Sequence, residues 1–180
     1  MEQKNYKLEI VSLLLREENH IRGLAEILNT NHMTVLRKVK ELQKENVVDF
    51  CQKGRNKTFF LKKTAEARAY AHMAEHYKLI NVLNKYPSLR SIIDKIQKNK
   101  KIELAILFGS YAKGLAAKDS DIDIYICTAD RKLKNELSMA DSKLSIKIGK
   151  YDRQDNLIKE IEKNHVIIKG VEKDKACLLR

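Results

Sequence analysis

Leu107–Ile126 reads LFGSYAKGLAAKDSDIDIYI and sets a glycine–serine turn and two alternating aspartates inside a strongly basic chain. The run just before it, IELAILF (Ile102–Phe108), is a short β-rich segment suited to a buried strand. It ends at Gly109-Ser110, and YAKGLAAK is then helical in character as far as Gly114. Glycine lets a phosphate approach the backbone closely, and amides at the start of a helix present donors to anions. Ser110 adds a hydroxyl and Lys113 a mobile positive charge. SDIDIYI then alternates in the manner of a strand. At a rise near 3.3 Å per residue, Asp121 and Asp123 stand roughly 6.5 Å apart on one face, and Ile122, Ile124 and Ile126 take the other. Two neighbouring carboxylates repel each other unless a cation lies between them. A hard divalent ion, Mg2+ or Mn2+, itself bound to triphosphate oxygens, suits that pair.

Gly109-Ser110, ten intervening residues and Asp121-Ile122-Asp123 between apolar neighbours resemble the signature of the DNA polymerase beta nucleotidyltransferase superfamily, its minimal nucleotidyltransferases in particular. The likeness covers roughly Ile102–Gly170, and KNHVIIKG resembles the closing strand of archaeal-type members fused to a winged helix. It implies that Gly109 and Ser110 hold the phosphates of a nucleoside triphosphate, and that Asp121 and Asp123 hold magnesium. Active members carry a third carboxylate on a following strand, where it helps to activate the attacking hydroxyl. That strand should be KLSIKIG, which has none; Ser145 or Lys147 takes the position, with Asp141 before and Asp152 after as the nearby acids. Loss of general-base help costs ~10² to 10⁴ in rate. Beyond it, RQDNLIKEIEKN is an amphipathic helix and HVIIKG a last short strand, with His165 read as structural.

Toward the N-terminus, Leu8, Val11, Leu14 and Leu15 recur at helical spacing, then IRGLAEIL forms a second short helix. In the turn NTN, Asn29 tolerates left-handed angles and Asn31 can cap a third helix over His32–Glu45. Val35, Val39 and Leu42 face inward on it, leaving His32, Thr34, Arg37, Lys38 and Lys40 outward. VVDFC and TFFL follow as strands joined by QKGRNK, whose glycine and asparagine suit a hairpin tip. LAEILNTNHMTVLRKVKELQKENVV resembles the helix-turn-helix of winged-helix transcription regulators. Charge is distributed to match: His32–Lys63 holds nine lysines and arginines against three carboxylates, whereas Met1–Asn31 holds four against five. Double-stranded DNA is the expected partner of this face, contacted by His32, Thr34, Arg37, Lys38 and Lys40 and by Lys53, Arg55 and Lys57 of the hairpin.

Between the two regions, Thr64 caps a long alanine-rich helix that ends before Pro87, the chain's only proline. Ala69, Met73, His76, Ile80 and Leu83 form a stripe that could join the regions or pair with a second copy, giving a homodimer. His72, His76 and Tyr77 have nothing nearby to complete a metal site, and packing is the simpler role. Cys51, Cys127 and Cys177 are odd in number and far apart, which fits a reducing cytoplasmic setting. Formal charge is +12 with a pI of about 9.5, and no apolar run reaches the length of a membrane span.

The sequence therefore predicts an α+β (mixed) chain: an N-terminal winged helix of three helices plus β-hairpin (1–63), a helical connector (64–100), and a C-terminal nucleotidyltransferase-like α/β domain with a small mixed sheet (101–180). Two functions follow. In one, a DNA-binding protein binds Mg–NTP and transfers a nucleoside monophosphate to a hydroxyl on a protein or small molecule, using Asp121, Asp123, Ser110, Gly109 and Lys113. In the other, a transcription regulator carries a catalytically inactive domain as a sensor, a dimerisation platform or an antitoxin-like module for a toxin-like protein partner.

Overall fold

The computed structural model describes residues 4–139 and 142–173; Asp141 and Cys177 lie outside them. The described residues divide into two compact units, one running to Tyr77 and the other beginning at Lys78.

In the first unit, α1 (Tyr6–Leu14) starts at Asn5, whose side chain accepts from Leu8 N–H, and buries Leu8, Ile10, Val11 and Leu14. A two-residue strand β1 (Asn19–His20) follows between the first two helices, where no strand was expected. Its second residue caps α2 (Ile21–Ile27): His20 Nδ1 accepts from Gly23 N–H at 2.8 Å, satisfying one of the donors a helix start leaves unpaired. Asn29 takes φ +48° in the turn, and Asn31 Oδ1 accepts from Thr34 N–H at 2.8 Å to open α3 (His32–Lys44). Strands β2 (Val48–Lys53) and β3 (Asn56–Leu61) pair antiparallel as far as Lys53 opposite Asn56. The hairpin tip is thus Gly54-Arg55 alone, with Gly54 at φ +61°; Gln52, Lys53, Asn56 and Lys57, assigned to the loop from sequence, belong to the ladder. β1 adds to β3, giving the order β1-β3-β2. Leu24, Val35, Val39, Leu42 and Phe59 meet in one core, and the whole is a winged helix.

α4 (Ala65–Lys85) is capped by Thr64 Oγ1, which accepts from Ala67 N–H at 3.2 Å and donates to the Asn46 carbonyl at 2.8 Å. Its buried apolar residues are Ala67, Ala71 and Ala74, then Leu79 and Val82, with Glu75 buried among them. The stripe picked from sequence lies elsewhere on the helix: Met73 and Ile80 are 51% and 53% exposed.

In the second unit, a 3-10 turn at Pro87–Leu89 leads into α5 (Arg90–Lys98). Then come β4 (Ala105–Leu107), α6 (Gly109–Ala112), β5 (Ile122–Cys127), α7 (Arg131–Ser138), β6 (Leu144–Gly149), α8 (Asn156–Lys163) and β7 (Val166–Lys169). The sheet runs β6-β5-β4-β7, with β5 and β6 parallel and joined through α7, and the other pairs antiparallel. One face packs Ala105, Leu107, Ile122, Ile124, Ile126, Leu144, Ile146, Val166 and Ile168 against Ile92, Ile93, Ile96, Leu133 and Leu137 of α5 and α7. By alternation Ile106, Tyr125 and Ile167 are buried on the other face, where α8 contributes Ile158 and Ile161. Among the described residues no helix is long and apolar enough to cross a membrane.

Tyr125 is 2% exposed and donates to the Lys150 carbonyl at 2.9 Å. Burial, reinforced by charge on Cys127 and Asp155, pushes its phenol up to about 12, against about 10 in an unfolded chain. Between those values the folded protein holds a proton the unfolded chain has released. The stability this contributes is complete below pH 10 and is lost as pH rises through 12. Tyr125→Phe should therefore flatten the fall in stability above pH 10, followed by urea unfolding at stepped pH; an unchanged slope would assign the alkaline transition to another group.

Candidate functional site

β4 and β5 position the glycine–serine turn and the aspartates together. Ala105–Leu107 are all buried, so the chain leaves the sheet only at Phe108, whose N–H donates to the Asp123 carbonyl at 3.0 Å. Gly109 then turns with φ +69°, a backbone region that L side chains rarely adopt. A Cβ at Gly109 would overlap the Asp123 carboxylate, Oδ2 first, with Cγ only 3.2 Å away. The turn therefore presses its bare backbone against that carboxylate. α6 is a single turn of helix carrying Ser110; Leu115 N–H donates back to the Ser110 carbonyl at 2.9 Å, and Gly114 at φ +71° ends it. Tyr111 fastens α6 from below, buried and edge-on to Tyr86 with ring centroids 4.9 Å apart.

Asp121 is exposed just ahead of β5, and Asp123 is half-buried within it; Ile122, Ile124 and Ile126 are buried on the opposite face as the alternation requires. Ser120, which sequence reasoning passed over, fixes the approach: its Oγ accepts from Ala117 N–H at 2.9 Å and its own N–H donates to the Ala117 carbonyl at 3.1 Å. Lys113 is exposed at the end of α6, and its charge helps to hold the Glu160 carboxyl of α8 below its usual range, behind the larger effect of Lys163. The register decides between the two residues that could stand where a third carboxylate is expected. Ser145 pairs with Asp123, whereas Lys147 pairs with Tyr125, one step further on, and is exposed. Asp152 lies beyond the end of β6 and is exposed.

The carboxylate oxygens of Asp121 and Asp123 suit a hard divalent ion. Among the described residues no three histidines, cysteines or carboxylates gather; an ion of the magnesium type asks for only one or two carboxylates, with substrate phosphates and waters completing its shell.

On the winged helix, His32, Arg37 and Lys40 are exposed and Thr34 half-buried along α3, and Arg55 is exposed at the hairpin tip. Three of the lysines expected to meet DNA also have partners within the fold. Lys38 bonds Glu41 at 2.9 Å, which with Lys7 at 3.4 Å holds that carboxyl below its usual range. Lys53 bonds Glu18 at 2.6 Å, and Lys57 sits 4.1 Å over the Phe50 ring. A cleft of about 380 Å³ opens between α2, α3 and the hairpin, lined by His20, Ile21, Arg22, Leu36, Asn56, Lys57 and Phe59. His20 and Arg22 were not singled out from sequence, and Asn56 was read only as a turn residue; for His20 the signal lay in a histidine directly before an apolar helix start, an uncommon capping residue.

A family model described as "Polymerase beta, Nucleotidyltransferase" matches residues 90–179. No curated protein matches the chain. Among solved structures, the adhesin competence repressor of Streptococcus pyogenes is 24% identical over 52% of this chain and 74% of its own, with a TM-score of 0.39. A toxin–antitoxin solved with AMP-PNP is 21% identical over 57% of this chain and 79% of its own, with a TM-score of 0.34.

The fit of Gly109 to Asp123 has a direct consequence. Gly109→Ala should cost ~1–2 kcal/mol for the left-handed backbone alone, plus the displacement of Asp123. In an Asp123→Ala background the same change should cost measurably less, because the overlapping carboxylate is gone. Equal losses in thermal unfolding for both backgrounds would show that the two groups do not press on each other.

Proposed function

Because this chain belongs to the polymerase beta nucleotidyltransferase family, we propose that its second unit binds a magnesium–nucleoside triphosphate and transfers the nucleoside monophosphate to a hydroxyl of a protein or small molecule. The observation that carries this reading is the Asp123 carboxylate lodged against the bare backbone of Gly109, beside Ser110 and two residues from Asp121. Asp121 and Asp123 would hold the metal, which when bound supplies charge neutralisation at the phosphates. Gly109 and Ser110 would hold a phosphate through backbone N–H groups of the turn and the Ser110 hydroxyl, and Lys113 would offset its charge. In the transfer the acceptor oxygen bonds to the α-phosphorus as the bond to the bridging oxygen breaks, the acceptor proton passes to solvent, and pyrophosphate leaves.

Ser145 opposite Asp123 favours a second reading for turnover. A serine there is a poor proton acceptor, so binding would outlast catalysis, and the domain would act as a nucleotide-responsive regulator. For the first unit we propose duplex DNA as the partner. The support is the winged helix, the excess of positive charge over His32–Lys63 and the exposed Arg37, Lys40 and Arg55. The cleft lined by His20, Arg22, Asn56 and Lys57 contains no acidic side chain and suits a phosphodiester.

Calorimetric titration with ATP and GTP should give binding only when Mg2+ or Mn2+ is present, and Asp123→Asn should lose it while its thermal unfolding stays close to wild type. Tight binding without a divalent ion, unchanged in Asp123→Asn, would sink the reading. Ser145→Asp, the change the register selects, should raise transfer of labelled nucleotide to acceptors in cell extract roughly tenfold or more. No gain with triphosphate binding intact would favour the regulatory alternative.

A further inference from the structure

The outward side of α3 is more than a row of cations. Met33, Leu36, Arg37, Lys40 and Lys44 succeed one another along it at helical spacing and, with Glu41, line an open cleft of about 300 Å³. Met33 is 60% exposed, Leu36 beside it is half-buried, and Arg37, Lys40 and Lys44 are exposed. Glu41 is the cleft's only acid and is already held by Lys38 and Lys7. The inward positions Val35, Val39 and Leu42 are fully buried, so the hydrophobic demand of the helix is met without Met33. A single exposed methionine needs no explanation. An apolar pair at the start of the helix, followed one turn later by an unneutralised arginine, is an ordered surface.

Resting on the DNA-binding reading above, we propose that Met33, backed by Leu36, reads the 5-methyl group of a thymine in the major groove, and that Arg37 reads the guanine of a neighbouring base pair. Only thymine presents a methyl group there, and an apolar side chain is its natural contact; arginine matches the O6 and N7 acceptors of guanine with two donors. Residues four apart are about 6 Å apart along a helix at 1.5 Å per residue, a separation their side chains span to reach adjacent pairs. The cations Arg37, Lys40 and Lys44 favour nucleic acid over a protein as the occupant, since a protein partner would have to supply matching carboxylates.

The test uses the full chain. Preferred duplexes are selected from a random library, and fluorescence anisotropy then compares each selected duplex with versions in which one thymine is replaced by uracil or one guanine by 7-deazaguanine. For the wild type, one uracil replacement should weaken binding about fourfold, the weight of one buried methyl group. A 7-deazaguanine replacement at a neighbouring pair should weaken it about tenfold. The uracil effect should vanish in Met33→Ala and in the equally long Met33→Gln, and the 7-deazaguanine effect in Arg37→Ala. All three variants should still bind random duplex at low salt, which shows that they fold. A selected duplex with no uracil-sensitive position, or a penalty that persists in both Met33 variants, overturns the inference while leaving DNA binding intact. Absence of duplex binding even at low salt overturns the DNA reading and this inference with it, and leaves the cleft to a protein partner.

Discussion

A carboxylate packed where a Cβ on Gly109 would stand is the constraint on which the proposed nucleotide site depends. Asp123 reaches the backbone of Gly109 because that residue has no Cβ and can hold φ +69°. The same two segments are tied by the bond from Phe108 N–H to the Asp123 carbonyl. Turn and carboxylate therefore move as one piece. Their rigidity comes from the sheet: β5 is flanked by β4 and β6, and its isoleucines are sealed in the core against α5 and α7. With the even-numbered side chains committed to the core, the odd-numbered ones must take the opposite face, and there the aspartates stand.

The winged helix solves a different electrostatic problem. A surface proposed to meet DNA must keep its charge, yet several of its lysines also have acidic partners within the fold. Lys7 ties α1 to Glu41 of α3 and to Glu45 at its C-cap, Lys38 joins the same cluster, and Lys53 pairs with Glu18. The charge left to an outside partner is narrower than the sequence suggests, centred on Arg37, Lys40, Lys44 and Arg55. Exposed ion pairs of this kind contribute little stability each. Their larger effect here is to select which cations remain available.

What the sequence disclosed were features set by local chemistry. The alternation SDIDIYI, the caps at Asn31 and Thr64 and the left-handed Asn29 all stand as read. Features decided by distant partners were not legible. β1 is two residues long and exists because β3 offers it a ladder. The hairpin runs to its tip because Lys53 and Asn56 can pair whatever their side chains are. The stripe on α4 was misjudged because alanines carry little hydrophobic signal, yet Ala67, Ala71 and Ala74 are the residues that allow close packing. Ser145 and Lys147 could be separated only by the parallel register across α7, which no local pattern encodes. The ion pair of Lys53 was hidden for the same reason, since Glu18 is 35 positions away, whereas that of Lys38 joins Glu41 one turn along the same helix and lay within reach of a local reading.

The central claim, that Gly109, Ser110, Asp121 and Asp123 form one metal–nucleotide site, is tested most directly by paramagnetic broadening. Substoichiometric Mn2+ added with ATP to isotopically labelled protein should first erase the backbone amide signals of Gly109, Ser110, Asp121 and Ile122, and Asp123→Asn should leave those signals sharp. Broadening centred on another part of the chain, or equal in the variant, would contradict the account.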